Sequence, residues 1–446
     1  MHSDYIALGG VEIANSTRLN AYLGPDGVGS PLTSFGACTC PTLTPTILGE
    51  EDGAYSTPAA DAAPWYDPDV PASDEFAGFM VLSVEGMDTN PVTRSVTNAV
   101  SGGASIGPRR VLPRTITVTG ILLGSTCCGV EYGLHWLGEA LAGCQGGACD
   151  GDCMTVYSCC PGEEDLTPEV FNDRYRRTLR RVALVSGPTV LSRQGTGCKS
   201  GECTLGADII EVEFVLVAGT PWLWTDTMPV LEVPAAPEET DECVTWCVVP
   251  VGGEPGVGCD GCCRLGTCPD PALSSTDSAC QLPTPPPSPQ APDSCYCLPL
   301  AATRMCYEVD LSDRPDWSVD VPMITIRAGR EDLKRLTISF FERSPDHDTL
   351  TCDQISDLDR CDAHSVYTIM HVPAGTALTI DGQIGRAIVE CGDVCETSPY
   401  TFGQEGAPPT FKPLDCATYC VCLETDALFP PGSDALVTIG LSGRGL

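Results

Sequence analysis

Twenty-eight cysteines in a chain of 446 residues constrain this molecule more than any other feature. The count is even, and vicinal pairs occur at Cys127-Cys128, Cys159-Cys160 and Cys262-Cys263. Dense, even cysteine usage points to a disulfide framework and to oxidising surroundings. Two spacings also fit thiolate ligands: Cys259-Asp-Gly-Cys262-Cys263 followed by Cys268, and the group Cys144, Cys149 and Cys153. The first is not mirrored by a second Cys-x-x-Cys, so bridges are expected ahead of a zinc or iron–sulfur site, with buried free thiols as the third option. The expectation is no metal and no cofactor. The disulfide candidates are Cys243, Cys247, Cys259, Cys262, Cys263, Cys268, Cys416 and Cys420. Four of them lie in a repeated core, Cys243-Val-Thr-Trp-Cys247-Val and Cys416-Ala-Thr-Tyr-Cys420-Val. That core predicts a local staple in which the aromatic ring covers the bridge.

The length suits two or three domains. Forty-six glycines, 39 prolines and 6% aromatic residues favour short strands and turns over long helices. Phe79–Val84, Arg114–Leu123 and Glu211–Val217 alternate as half-buried strands do, and Val130–Leu141 repeats Leu134, Leu137 and Leu141 at helical spacing beside Trp136. From Leu231 to Cys306 the composition changes: 13 Pro and 10 Cys fall in 76 residues, including a polyproline run from Leu282 to Pro292. Short strands return after Tyr307, among them Met323–Arg327, Leu336–Phe341, Ala377–Ile380, Arg386–Glu390 and Ala435–Ile439, a pattern that suits a β-sandwich. No stretch approaches the ~18 consecutive apolar residues of a membrane-spanning helix. Met1–Gly10 carries Asp4 and no basic or apolar leader, so neither membrane insertion nor a signal peptide is expected.

Sixty acidic residues against 24 basic ones give a net charge of −36, a field that repels nucleic acid and anionic lipid. Catalytic and phosphate-binding motifs are missing; Gly195–Gly201 lacks the glycine before Lys199 that a phosphate cradle needs, and the five histidines are scattered. The chain is therefore expected not to be an enzyme. Twenty-one of the basic residues are Arg and three are Lys, a bias that reads as GC-rich coding. Five arginines crowd into eight residues: Arg174, Arg176, Arg177, Arg180 and Arg181. They form either a clamp on a neighbouring subunit's carboxylates or a solvated face that offsets local acids.

The succession Gly9–Ser16, Pro64–Pro71, Phe79–Gly86, Arg114–Gly120, Gly133–Leu137 and Val212–Pro221 resembles the minor tail proteins of siphophages that infect actinobacteria, which are similar to distal tail proteins. A looser likeness covers Asp316–Leu446. The resemblance implies a mainly β chain. Its parts are an N-terminal ring-forming belt domain with a helix (1–230), a Cys/Pro-rich linker or insertion (231–306) and a C-terminal galectin-like β-sandwich (307–446). It further implies a homo-oligomer, hexameric, in the tip of a virion tail, which joins the tail tube to the tail hub and other tip proteins and lets DNA pass without binding it. In such a ring Arg109, Arg110 and the Arg174–Arg181 cluster would lie at the subunit interface, because like-charged acidic subunits need basic contacts to associate. The alternative is a tail adhesin that holds a host-envelope glycan through Trp317, Tyr367, Tyr400 or Phe402, against which stands ordinary core packing of those rings.

Overall fold

The computed structural model describes residues 4–23, 40, 42–50, 54–143, 151–160, 166–194, 198–199, 202–203, 208–235, 244–248, 294–298, 303–314, 318–347, 349–391, 394–426 and 429–445. The polyproline run, Cys243, Cys259, Cys262, Cys263, Cys268 and Trp317 lie outside these residues. The fold is mainly β, built from antiparallel sheets. The chain divides into two compact units, Met1–Met228 with Trp317–Asp320 and Ser442–Leu446, and Pro229–Asp316 with Val321–Leu441.

The first unit opens with the hairpin β1 (Tyr5–Leu8) and β2 (Val11–Asn15). Its turn is Gly9-Gly10, both at positive φ, the backbone a tight two-residue hairpin requires. Helix α1 (Ser16–Tyr22) follows at once, because the Asn15 side chain accepts from the Thr17 and Arg18 backbone N–H groups. Then come α2 (Pro71–Asp74), β3 (Phe76–Glu85), the short strands β4 (Val92–Thr93), β5 (Val96–Asn98), β6 (Ala104–Ile106) and β7 (Arg110–Val111), and β8 (Arg114–Gly124). Helix α3 (Cys127–Ala142), β9 (Asp152–Tyr157), helix α4 (Pro168–Tyr175) and the 19-residue β10 (Arg176–Gln194) come next. The unit continues with β11 (Cys198–Lys199), β12 (Glu202–Cys203), β13 (Asp208–Ala218) and β14 (Leu223–Trp224). Strand β10 pairs with β9 through its first half and with β13 through its second, joining β2-β1-β9 to β13-β8-β3. Alternation sends Ile116 and Val118 of β8, and Val212, Phe214 and Leu216 of β13, into one core.

The predicted helix is present as α3, and it buries Val130, Gly133, Leu137 and Leu141 on that core. Trp136 stays at its rim, edge-on to Trp65 with ring centroids 5.5 Å apart. The Thr126 hydroxyl accepts from the Gly129 N–H and starts the helix. Gly133 is where α3 meets the sheet side: a Cβ there would sit 2.2 Å from the Phe76 ring. The Cys40–Cys160 disulfide closes a satellite cluster of Leu43, Ile47, Tyr157 and Phe171.

The second unit is a sandwich. One sheet has the order β18 (Thr303–Asp310), β26 (Thr418–Thr425), β20 (Leu333–Glu342), β21 (Ser365–Val372) and β25 (Thr401–Phe402). Facing it across a shared core run β27 (Leu436–Gly445), β19 (Val319–Arg327), β22 (Ala377–Asp381), β23 (Arg386–Cys391) and β24 (Val394–Thr397), with β15 (Met228–Pro234) on β27. Ile324, Ile326, Ile380 and Ile439 from one sheet meet Ile338, Phe340, Val421 and Leu423 from the other. Both ends of the Cys/Pro-rich stretch are strands of this sandwich: Val233 lies in β15 and Cys306 in β18. Within the stretch, β16 (Val244–Val248) pairs with β17 (Ser294–Leu298), setting Cys247 opposite Cys295. Among the described residues no helix is long and apolar enough to cross a membrane.

The Gly133→Ala variant should lose about 1–3 kcal/mol of stability, since the added methyl must displace the buried Phe76 ring. Urea unfolding of the variant beside the parent measures it; an unchanged midpoint would mean that α3 is not seated as described.

Candidate functional site

Strand β26 shows how the second unit builds a site. Tyr419, Val421 and Leu423 point into the core, while Cys420, Cys422 and Glu424 point to the outer face of the sheet. Cys420 bonds to Cys352 and Cys422 to Cys306. The staple is therefore real at Cys420, but Tyr419 does not cover it, because neighbouring strand residues face opposite ways. Cys352 is the first residue of helix α5 (Cys352–Leu358), which begins with a capping box between Thr351 and Gln354. The bond and buried Ile355 hold α5 over one half of the outer face.

The other half stays open as a cleft of about 450 Å³. Its floor is one row across five strands in register. Arg304 of β18 stands opposite Glu424 of β26, Glu424 opposite Thr337 of β20, Thr337 opposite Thr368 of β21, and Thr368 opposite Phe402 of β25. Ser356 and Arg360 form the wall on the α5 side, and the loop Gly403–Gly406 forms the other. Gln404 Nε2 donates to the Cys361 carbonyl at 3.2 Å and ties the two walls together. Arg304 Nη2 donates to Asp357 Oδ1 at 2.6 Å, which fixes that guanidinium against the helix. No group of three or more His, Cys, Asp or Glu suited to a metal ion occurs among the described residues.

The aromatic candidates separate. Phe402 lines the cleft. Tyr400 is 50% exposed and meets His371 edge-on at 5.8 Å, outside the lining. Tyr367 is a correction to the sequence reading: it is fully buried, packs on Phe340, and donates to the Thr410 carbonyl at 3.1 Å. Burial pushes its hydroxyl up to about 12. Its neighbour Thr368 faces the cleft instead, again by strand alternation.

In the first unit, the chain leaves the sheet after Gly86 and returns at Arg114 as a hairpin, with β4 paired to β7 and β5 to β6. This arm has no core of its own: Val96 and Ile106 are 63% and 65% exposed, and Val100 and Leu112 are exposed with them. Arg109 and Arg110 lie exposed on it, Arg94 Nη1 donates to the Gly107 carbonyl, and all 60 acidic residues of the chain lie outside residues 89–113. Its root is fixed by a side chain that the sequence did not single out. Arg114 is 1% exposed and its Nη1 donates to the carbonyls of Gly86, Met87 and Thr89 at 2.6–2.8 Å, while Nε donates to Pro221. Gly86 has φ +90°, and a Cβ there would strike the Thr115 carbonyl at 2.0 Å.

The arginine cluster begins in α4 and runs into β10. Arg176 makes a two-point contact with Asp226, Nε–Oδ1 2.9 Å and Nη2–Oδ2 2.7 Å. Arg177 Nη2 donates to the Arg174 carbonyl at 2.7 Å, and Nη1 to the Arg176 carbonyl at 2.6 Å, completing the end of α4. Arg180 Nη1 reaches Cys153 Sγ at 2.9 Å. Arg181 sits at a bulge of β10 with φ +58° and its side chain exposed; Arg174 is exposed on α4. Arg176 and Arg177 thus serve the fold of their own chain, whereas Arg109 and Arg110 face outward on the arm.

Replacing Tyr367 with Phe should cost about 1 kcal/mol, because the hydrogen bond from the buried Tyr367 hydroxyl to the Thr410 carbonyl is lost. Tyr400→Phe should leave stability unchanged, and paired denaturation curves compare the two.

No protein-family model matches the sequence, and no curated protein matches it. Among solved structures the chain is similar to "Crystal Structure of SPP1 Dit (gp 19.1) Protein, a Paradigm of Hub Adsorption Apparatus in Gram-positive Infecting Phages", with 10% identity and a TM-score of 0.33, over 84% of this chain and 96% of that one.

Proposed function

We propose that this chain is a structural component of the tip of a long non-contractile phage tail, a distal tail protein whose copies close into a six-fold ring between tail tube and tip. The observation that carries the reading is the arm. A two-stranded hairpin is marginal by itself, and one that exposes Val96, Val100 and Ile106 beside arginines is suited to lie against another surface. On a chain of net charge −36 the complementary surface is available on every other copy. A patch on one part of a subunit that meets a different part of the next gives a head-to-tail contact, the kind that closes into rings. The motif order from Gly9 to Pro221, which resembles minor tail proteins, supplies the context.

The outward face of β3, β8 and β13 fits the same reading. Glu213 stands opposite Thr119, and Glu85 opposite Thr117, with Glu211 nearby. The only basic residue of the three strands is the buried Arg114. Around Thr117 and Thr119 this face carries carboxylates and hydroxyls with Val215 and Val217 beside them, and these strands add no exposed cation, so phosphate finds no counterion to displace there, as passage of DNA without capture requires. A second reading, an adhesin for host glycan, is favoured by one observation, the cleft that ends on Phe402.

Light scattering and electron microscopy of the full chain test the ring. A closed ring with an axial hole is expected from the parent. The exposed-site double variant Val100→Asp, Ile106→Asp should give a folded monomer. A parent that stays monomeric at every concentration would overturn the proposal, and a ring that the variant still forms would overturn the arm as its subunit contact.

A further inference from the structure

We infer that the cleft of the second unit is a binding site for a neutral oligosaccharide lying across the strands, along the row Arg304–Glu424–Thr337–Thr368–Phe402. The inference rests on the adhesin reading just given and assigns it a site and a ligand class.

Three features select that chemistry. The first is the sequence of functional groups along the floor. A guanidinium that only donates, a carboxylate that only accepts, and two hydroxyls that do both form a series suited to sugar hydroxyls, each of which donates and accepts. Thr337 Oγ1 donates to Thr368 Oγ1 at 3.5 Å, which leaves the Thr368 proton and the Thr337 lone pairs to neighbouring sugar hydroxyls. Phe402 ends the row with an apolar ring, a partner for the carbon–hydrogen face of a pyranose. Five strands spaced ~4.8 Å apart make the row roughly 19 Å long, which calls for an extended ligand of several residues and not a single small solute.

The second feature is charge. Arg304 and Arg360 in the lining are balanced by Glu405 and Glu424, and Arg304 is already held by Asp357. A site for a phosphate or a carboxylated sugar would present uncompensated cations. Here the two arginines of the lining are matched in number by its two carboxylates, which favours a neutral chain.

The third is the backbone. β20 is paired on both sides by β21 and β26, β21 by β20 and β25, and β26 by β18 and β20. Among the described strands only β18 and β25, at the ends of the row, keep a free edge, and a peptide strand added there would run beside the sheet and not across the row. The walls are fixed in advance. The Cys352–Cys420 and Cys306–Cys422 bonds lie beneath α5, and Gln404 bridges to Cys361. Little ordering is left for the ligand to impose.

The test is titration calorimetry of the full chain with neutral tri- to pentasaccharides of hexoses and pentoses, and in parallel with sialylated oligosaccharides and glycerol-phosphate oligomers. Binding of a neutral chain is expected, weakened about tenfold or more in Glu424→Gln and in Phe402→Ala. Glu424→Gln keeps shape and volume, so its thermal unfolding should match the parent and its result stands even if Phe402→Ala folds poorly. Neutral sugar bound equally by Glu424→Gln would overturn the site while leaving the adhesin reading intact. Binding of the anionic probes alone would overturn the ligand class. No binding by any probe would remove both, and the ring assay would be unaffected by either result.

Discussion

The alternation of side chains along β26 governs the second unit. Because one strand sends Tyr419, Val421 and Leu423 inward and Cys420, Cys422 and Glu424 outward, the same eight residues close a hydrophobic core, anchor two disulfides and supply the carboxylate of the cleft. A slip of one residue in register would exchange the two sets and destroy all three arrangements together. The disulfides are thus part of the site's construction. Cys306–Cys422 ties β18 to β26, and Cys352–Cys420 holds α5 as a wall on a face that would otherwise be an open sheet, letting a short helix of seven residues keep its place with one buried isoleucine as its main apolar contact.

The first unit solves a different problem, the burial of a large sheet with few helices. Its long strand β10 bends at a bulge and serves two neighbours in turn, so that β1, β2 and β9 share a core with β3, β8 and β13. Helix α3 closes that core with a glycine where the Phe76 ring leaves no room for a methyl. The other face of this sheet is polar around Glu213, Thr117 and Thr119 and apolar where Met80, Ile121 and Leu123 pack with Leu19 of α1, while the arm residues Val96, Val100 and Ile106 stay outside every buried cluster among the described residues.

Much of this was legible in the sequence, and the reasons for what was not are physical. Phe79–Val84, Arg114–Leu123 and Glu211–Val217 were readable as strands because each buries one face and wets the other. The helix was readable from its leucine spacing, although the buried stripe is centred on Val130, Gly133 and Leu137, with Leu134 at the margin. Tyr367 was misjudged, because composition cannot tell which face of a strand a tyrosine takes until the register of its partners is known. The row Arg304–Glu424–Thr337–Thr368–Phe402 was invisible for the same cause: its members are scattered over about 120 residues and meet only through pairing. The arginine cluster looked like one object by proximity in the chain, yet Arg176 turns to Asp226 and Arg177 to the end of α4, each satisfied by a group that spacing does not reveal.

Arg114 opens one of the two 11-residue strands of the first unit and had no marker beyond its place before Thr115. Its guanidinium nevertheless grips three carbonyls of the turn from which the arm departs. A hairpin on a loose tether would sample many directions and would surrender that freedom on meeting its partner. A hairpin with a clamped root gives up the freedom when the chain folds, so association starts from an already aimed lever and the entropy of alignment is no longer drawn from the strength of the contact.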